Sequence, residues 1–122
     1  MLRASMAVVT TVIALSLVAA DAAFGQNSAI PALQGTVGPG FTISLKHNGV
    51  KVKTLKAGIY TFVIADKSSI HSFVVEGPGV ERDITKIPFV GTKTVTFTLH
   101  KGKYKFYCRA HESSMFGFFT AT

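Results

Sequence analysis

Tryptophan is absent from this chain, cysteine occurs once, and acidic residues number only six among 122. A single cysteine excludes an internal disulfide framework and any zinc site that needs two thiolates. With only four prolines, 16% charged residues and 48% hydrophobic ones, the chain does not fit disorder, which needs low hydrophobicity and high charge. No stretch shows convincing helical spacing. There is no internal repeat and no low-complexity tract, and the length suits one domain, not separate cofactor and substrate domains. What is present in excess is positive charge: thirteen Lys and Arg against six Asp and Glu leave +7 at neutral pH.

The first 25 residues read as an address. Met1-Leu2-Arg3 supplies a basic start, Ala7 to Ala20 an uncharged apolar run, and Ala20-Asp21-Ala22 and Ala23-Phe24-Gly25 small residues suited to cleavage. The run is short for a bilayer span, which takes about 20 residues. No cysteine near the cleavage region offers a lipid attachment point. The reading is a secretory signal peptide over 1–25, cut before Gln26, with no stable membrane insertion afterwards and a periplasmic or secreted product. Arg3 and Asp21 leave together, so the mature charge stays +7. Export exposes the one thiol to an oxidising compartment, where it must be buried or bound to survive.

The mature chain reads as short strands. Residues 26–40 form a leader and loop, with a short strand at its end. From Phe41 the period is two: Phe41, Ile43 and Leu45 alternate with Thr42 and Ser44. Asn48-Gly49 marks a tight turn before Val50-Val52. Ile59 to Ala65, Ile70 to Val75, Thr92 to Leu99, Lys103 to Cys108 and Phe116 to Ala121 follow as strands, and Val80 to Gly91 reads as irregular, with Pro88 arguing against a central strand. Seven to eight strands with turns every eight to twelve residues predict an all-β antiparallel sandwich over 41–122, taking in part of 26–40.

Chemistry concentrates near the C-terminus. Cys108-Arg109-Ala110-His111-Glu112-Ser113-Ser114-Met115 brings a thiolate, an imidazole and a thioether into one loop, and His71 stands near the start of another strand. These soft and borderline donors suit copper better than magnesium, calcium or manganese. Taken singly, each has an ordinary explanation: a buried small Cys, a surface His, a Met filling the core. Taken together, the only cysteine of an exported sandwich, with His at +3 and Met at +7, points to metal. Two histidines and a thiolate in a trigonal arrangement with a long axial methionine form the blue-copper electron-transfer site. His47 and His100 stand beside turns and read as surface residues.

Over Phe41 to Thr122 the sequence resembles the cupredoxins: plastocyanin, pseudoazurin, amicyanin and related small bacterial copper proteins. The likeness is strongest in Gly102-Lys103-Tyr104-Lys105-Phe106-Tyr107-Cys108 with His111, Met115 and Gly117, and in Ser69-Ile70-His71-Ser72-Phe73. It implies a Greek-key β-sandwich with one type 1 copper, held equatorially by His71, Cys108 and His111 and axially by Met115. The spacing from His111 to Met115 lies between that of amicyanin and the longer loop of plastocyanin and pseudoazurin. Ser72 stands where the family often has Asn. A hydroxyl cannot reproduce both ends of an amide, so an altered hydrogen-bond surround is expected.

The expected role is a soluble one-electron carrier and not an enzyme, since four protein donors leave no open position for substrate. Only His47 and His100 remain for a second copper site, too few for a self-contained nitrite reductase or oxidase. The resemblance implies electron exit through the edge of His111, with Tyr107 as another route. Ala110 and Phe116, with Pro39 and Pro88-Phe89, are candidates for an apolar docking rim. Lys46, Lys51, Lys53, Lys56, Lys93, Lys101, Lys103 and Lys105 favour an acidic redox partner and salt-sensitive association. Nucleic-acid binding has no recognition motif to support it, and a monomer is expected. The alternative is a periplasmic copper carrier or scavenger that exchanges the ion itself, though no Met-rich or His-rich tract supports it.

Overall fold

Alternation along the chain decides which side chains go inside. In β5 (Gly58–Asp66), Tyr60, Phe62, Ile64 and Asp66 are buried while the residues between them are not, as expected for a strand with one face on a core. The computed structural model describes residues 29–122, and the signal segment read over 1–25 lies outside them. The other strands are β1 (Ala32–Val37), β2 (Ile43–His47), β3 (Val50–Lys51), β4 (Thr54–Leu55), β6 (Phe73–Gly77), β7 (Val80–Thr85), β8 (Gly91–Leu99), β9 (Gly102–Tyr107) and β10 (Phe116–Ala121). Strands β3 and β4 have two residues each.

The strands form two five-stranded sheets, in the orders β3-β2-β1-β5-β8 and β4-β10-β9-β6-β7. Both sheets are mixed. Strand β1 runs parallel to β5, and β4 parallel to β10; the remaining pairs are antiparallel. This corrects the purely antiparallel expectation. The β2–β3 hairpin and β4 together form the long connection that lets β5 return alongside β1 in the same direction.

Ala32–Val37, inside the segment read as leader and loop, is a strand paired on both sides. Leu33 and Val37 there are fully buried. That is the strand expected within 26–40, whereas two other segments differ from the sequence reading. Val80–Thr85 is a strand on β6, with a shift of register between its Asp83 and Thr85 pairings, and an irregular stretch around Pro88 follows it. Phe41 lies before β2 in a loop that follows Gly38-Pro39-Gly40, with its ring 60% exposed.

Between the sheets lies one core, which includes Leu33, Phe62, Ile64, Phe73, Tyr104 and Phe119. Aromatic rings stack between neighbouring strands of each sheet: Phe62 on Phe97 at 4.6 Å in the first, Tyr104 on Phe119 at 5.1 Å and Phe73 on Phe106 at 5.8 Å between centroids in the second. Gly117 permits one close approach, because a Cβ there would run into the Phe106 ring.

Sheet register then determines where chemistry gathers. Val74 on β6 and Phe116 on β10 both pair with Tyr107, the last residue of β9. His71 and Ser72 precede β6, Cys108 follows β9, and Met115 precedes β10. All four therefore come to the same end of the second sheet.

Candidate metal centre

The loop between β9 and β10 is folded on itself by its own backbone. Cys108 leaves the strand in extended conformation, and a single 3₁₀ turn over Arg109–His111 follows. The His111 N–H donates to the Cys108 carbonyl at 3.1 Å, and the Ser114 and Met115 N–H groups donate to the His111 carbonyl at 3.1 and 2.8 Å. Across the mouth of the loop, the Cys108 N–H donates to the Met115 carbonyl at 3.0 Å. Cys108 and His111 therefore face the same side across one tight turn.

His71 arrives from the other strand. Its N–H donates to the Ser68 carbonyl at 3.3 Å, and its ring is completely buried. The ligand atoms of His71, Cys108 and His111 lie within 4.8 Å of one another. Nδ1 of His71 is 3.1 Å from Nδ1 of His111, and the Cys108 Sγ is 3.8 Å from the first and 3.6 Å from the second. A metal bonded at about 2.0–2.1 Å to nitrogen and about 2.3 Å to sulfur needs trigonal donors about 3.5 Å (N to N) and about 3.8 Å (N to S) apart. The observed separations fit one small ion at the centre of the three.

Met115 stands at the far end of the same loop, 1% exposed and in the cluster of buried residues that contains Cys108. Its backbone is tied to Cys108, as described above. His47 and His100 join no such group among the described residues. Cys108 is a free, buried thiol, which answers how a lone cysteine is shielded.

Ser72 binds the two halves together. Its N–H donates to Cys108 Sγ at 3.4 Å, its hydroxyl lies 4.0 Å from the same sulfur, and that hydroxyl accepts the Arg109 N–H at 3.0 Å. A serine thus does link the histidine segment to the cysteine loop, through its oxygen and its own backbone. The sulfur receives a backbone N–H, the kind of bond that tunes a metal thiolate.

Several contributors were not legible in the sequence. Phe41 sets its ring edge-on to both histidines, 5.1 Å from His71 and 4.9 Å from His111 between centroids; the Gly-Pro-Gly before it was the available hint of a loop. The Tyr107 hydroxyl donates to Glu81 at 3.1 Å. Burial first, and then that bond, push its phenol up to about 12. Arg109 reaches Asp83 and Glu81, and those hydrogen bonds raise its already high pKa further. Of the expected rim, Ala110 is exposed and Phe116 is 47% exposed.

No protein-family model and no curated protein matches the chain. Solved structures do. Auracyanin A, a "blue" copper protein from the green thermophilic photosynthetic bacterium Chloroflexus aurantiacus, superposes with a TM-score of 0.53 at 16% identity, covering 77% of this chain and 100% of that one. Reduced rusticyanin gives 0.49 at 19% identity over 75% and 76% of the two chains, and rusticyanin from Thiobacillus ferrooxidans 0.43 at 24% over the same shares. The likeness to auracyanin A, with the two mixed sheets, shows a cupredoxin-like β-sandwich, and this one carries at one end a His-Cys-His group placed to bind one metal ion.

Proposed function

We propose that the protein is an exported type 1 copper protein that carries one electron at a time between redox partners. One observation supports this above all: two Nδ1 atoms and one Sγ, from residues 71, 108 and 111, converge at the separations a single small ion requires. Two imidazoles and a thiolate select copper among the common biological cations of this geometry. In this reading His71, Cys108, His111 and Met115 would hold the copper. When bound, copper supplies the one-electron Cu(II)/Cu(I) couple.

The chain's own residues do the rest. The backbone-locked loop and Ser72 restrain Cys108 and His111, and would keep the reorganisation on electron exchange small. Burial of His71, Cys108 and Met115 excludes water, and Phe41 narrows access to both imidazoles. With four protein donors the site has no place for substrate, which favours electron transfer over catalysis. The fold shared with a blue copper protein supports the same reading. The composition of residues 1–25 supports a periplasmic or secreted location.

The net charge of +7 favours an acidic redox partner, held by association that weakens with salt. Lys103 and Lys105 lie over the exposed rings of Phe116 and Phe118, giving a basic and apolar face beside the ligand loop.

Addition of Cu(II) to the purified protein tests the proposal. Expected are an intense visible thiolate-to-copper band, a narrow copper hyperfine splitting in the spin-resonance spectrum, and reversible reduction with fast self-exchange. Cys108→Ser should abolish the band. A spectrum without it in the unmodified protein overturns the copper assignment; copper that is surrendered readily without reversible reduction overturns electron transfer.

A further inference from the structure

The residues on either side of Cys108 are both fastened to one strand that carries no ligand. Arg109 follows the cysteine, and its Nη2 and Nε donate to Asp83 Oδ1 at 2.7 and 3.1 Å. The same Nη2 donates to Glu81 Oε1 at 3.1 Å. Tyr107 precedes the cysteine, and its hydroxyl donates to that same Glu81 oxygen at 3.1 Å. The guanidinium also lies 5.8 Å from the Tyr107 ring centre. Glu81 and Asp83 alternate on the outer side of β7, an edge strand paired only with β6. The Arg109 backbone N–H is meanwhile held by Ser72, so this residue is tied by its main chain to the segment before β6 and by its side chain to β7.

We propose that Glu81 and Asp83 are positioning residues for the metal loop, acting through Arg109 and Tyr107 to fix the direction in which Cys108 leaves β9. The proposal rests on the copper reading for its consequence at the metal, but the clamp itself is a property of the polypeptide. Single exposed ion pairs contribute little to stability, and the groups here are partly exposed, at 50%, 52% and 29% for Arg109, Glu81 and Asp83. Their significance is geometric. The guanidinium and the phenol donate to two acceptor atoms, one on each carboxylate, which restrains the residue on each side of the cysteine. The loop's own backbone bonds close the turn after Cys108, and the clamp adds a restraint on the two residues that flank it. Partners bonded directly to metal ligands typically change metal affinity 10–100-fold; one step further removed, an increase of about three- to tenfold in copper release is expected on that scale.

The test compares Glu81→Gln with Asp83→Asn in one double variant, Arg109→Gln, and Glu76→Gln as a control. Glu76 lies on neighbouring β6 and carries the same charge without bonding Arg109 among the described residues. Charge alone moves the reduction potential one way for the acidic variants and the opposite way for Arg109→Gln. Loss of the clamp moves the copper hyperfine splitting and the copper release rate in the same direction for both, leaving the control unchanged. In metal-free protein, amide exchange at residues 109–112 should rise in both clamp variants and not in the control, with thermal unfolding confirming that all are folded. Opposite-signed potential shifts with unchanged hyperfine splitting, release and amide exchange overturn the proposal. Should the unmodified protein give no thiolate-to-copper band, the copper reading fails, and the exchange measurement still decides the clamp.

Discussion

The hydroxyl of Ser72 accepts the backbone N–H of Arg109 at 3.0 Å, while the Ser72 N–H donates to Cys108 Sγ at 3.4 Å. Two segments 37 residues apart are thus joined beside the sulfur by one small side chain and its own peptide.

Ser72→Ala removes the acceptor and keeps the N–H to sulfur. Ser72 is 4% exposed, and the Arg109 N–H loses its partner at a partly buried bond. A destabilisation of about 1–2 kcal/mol is expected for such a donor, read by urea unfolding of the metal-free protein. An unchanged midpoint would show that the bond does not hold the loop.

Gly117→Ala places a Cβ into the Phe106 ring. Overpacking of this kind costs about 1–3 kcal/mol. The ring also stacks on Phe73 at 5.8 Å, two residues after His71, so the disturbance should reach the metal end of the sheet. Chemical denaturation reads the cost, and full stability in the variant would contradict the packing.

Tyr107 predicts an alkaline effect. Its phenol is raised from the ordinary 10.0 to about 12, so the fold holds this proton more tightly than the unfolded chain does. The resulting stability is fully present below about pH 10 and is lost as the pH rises through about 12. Absorbance titration of phenolate should reveal a late-ionising component that Tyr107→Phe removes, together with part of the fall in stability over that range. An identical titration in the variant, apart from one phenol near 10.0, would refute it.

Phe41→Ala should leave the fold nearly as stable, since the ring is 60% exposed. Its edge contacts cover both histidines, so removal of copper by a chelator should accelerate several-fold. Equal rates would show that the ring is not a barrier to the site.

The candidate donors were legible because their types are unusual together. A lone cysteine followed by His111 and Met115 needs no folding to be noticed, and His71 stood out as an imidazole beside a β-branched and aromatic run. Strand positions such as Thr92 to Leu99 were equally plain, since alternation reports directly on a half-buried surface. The parallel pairing of β1 with β5 was not, because side-chain period is the same for either strand direction. Phe41 misled for a related reason: it continues the alternation of Ile43 and Leu45, yet the turn at Gly38-Pro39-Gly40 carries it over the histidines instead.

Residue types and their spacing alone determined an all-β chain with soft donors capable of meeting in one loop. Sheet register, which brings the starts of β6 and β10 to the end of β9, decided that His71 reaches Cys108 at all. The links from Ser72 to Arg109 and from Arg109 to Glu81 and Asp83 were likewise decided only in three dimensions, because they join groups 26 to 37 residues apart. Such bonds depend on where backbones lie relative to one another, and local preference carries no record of that.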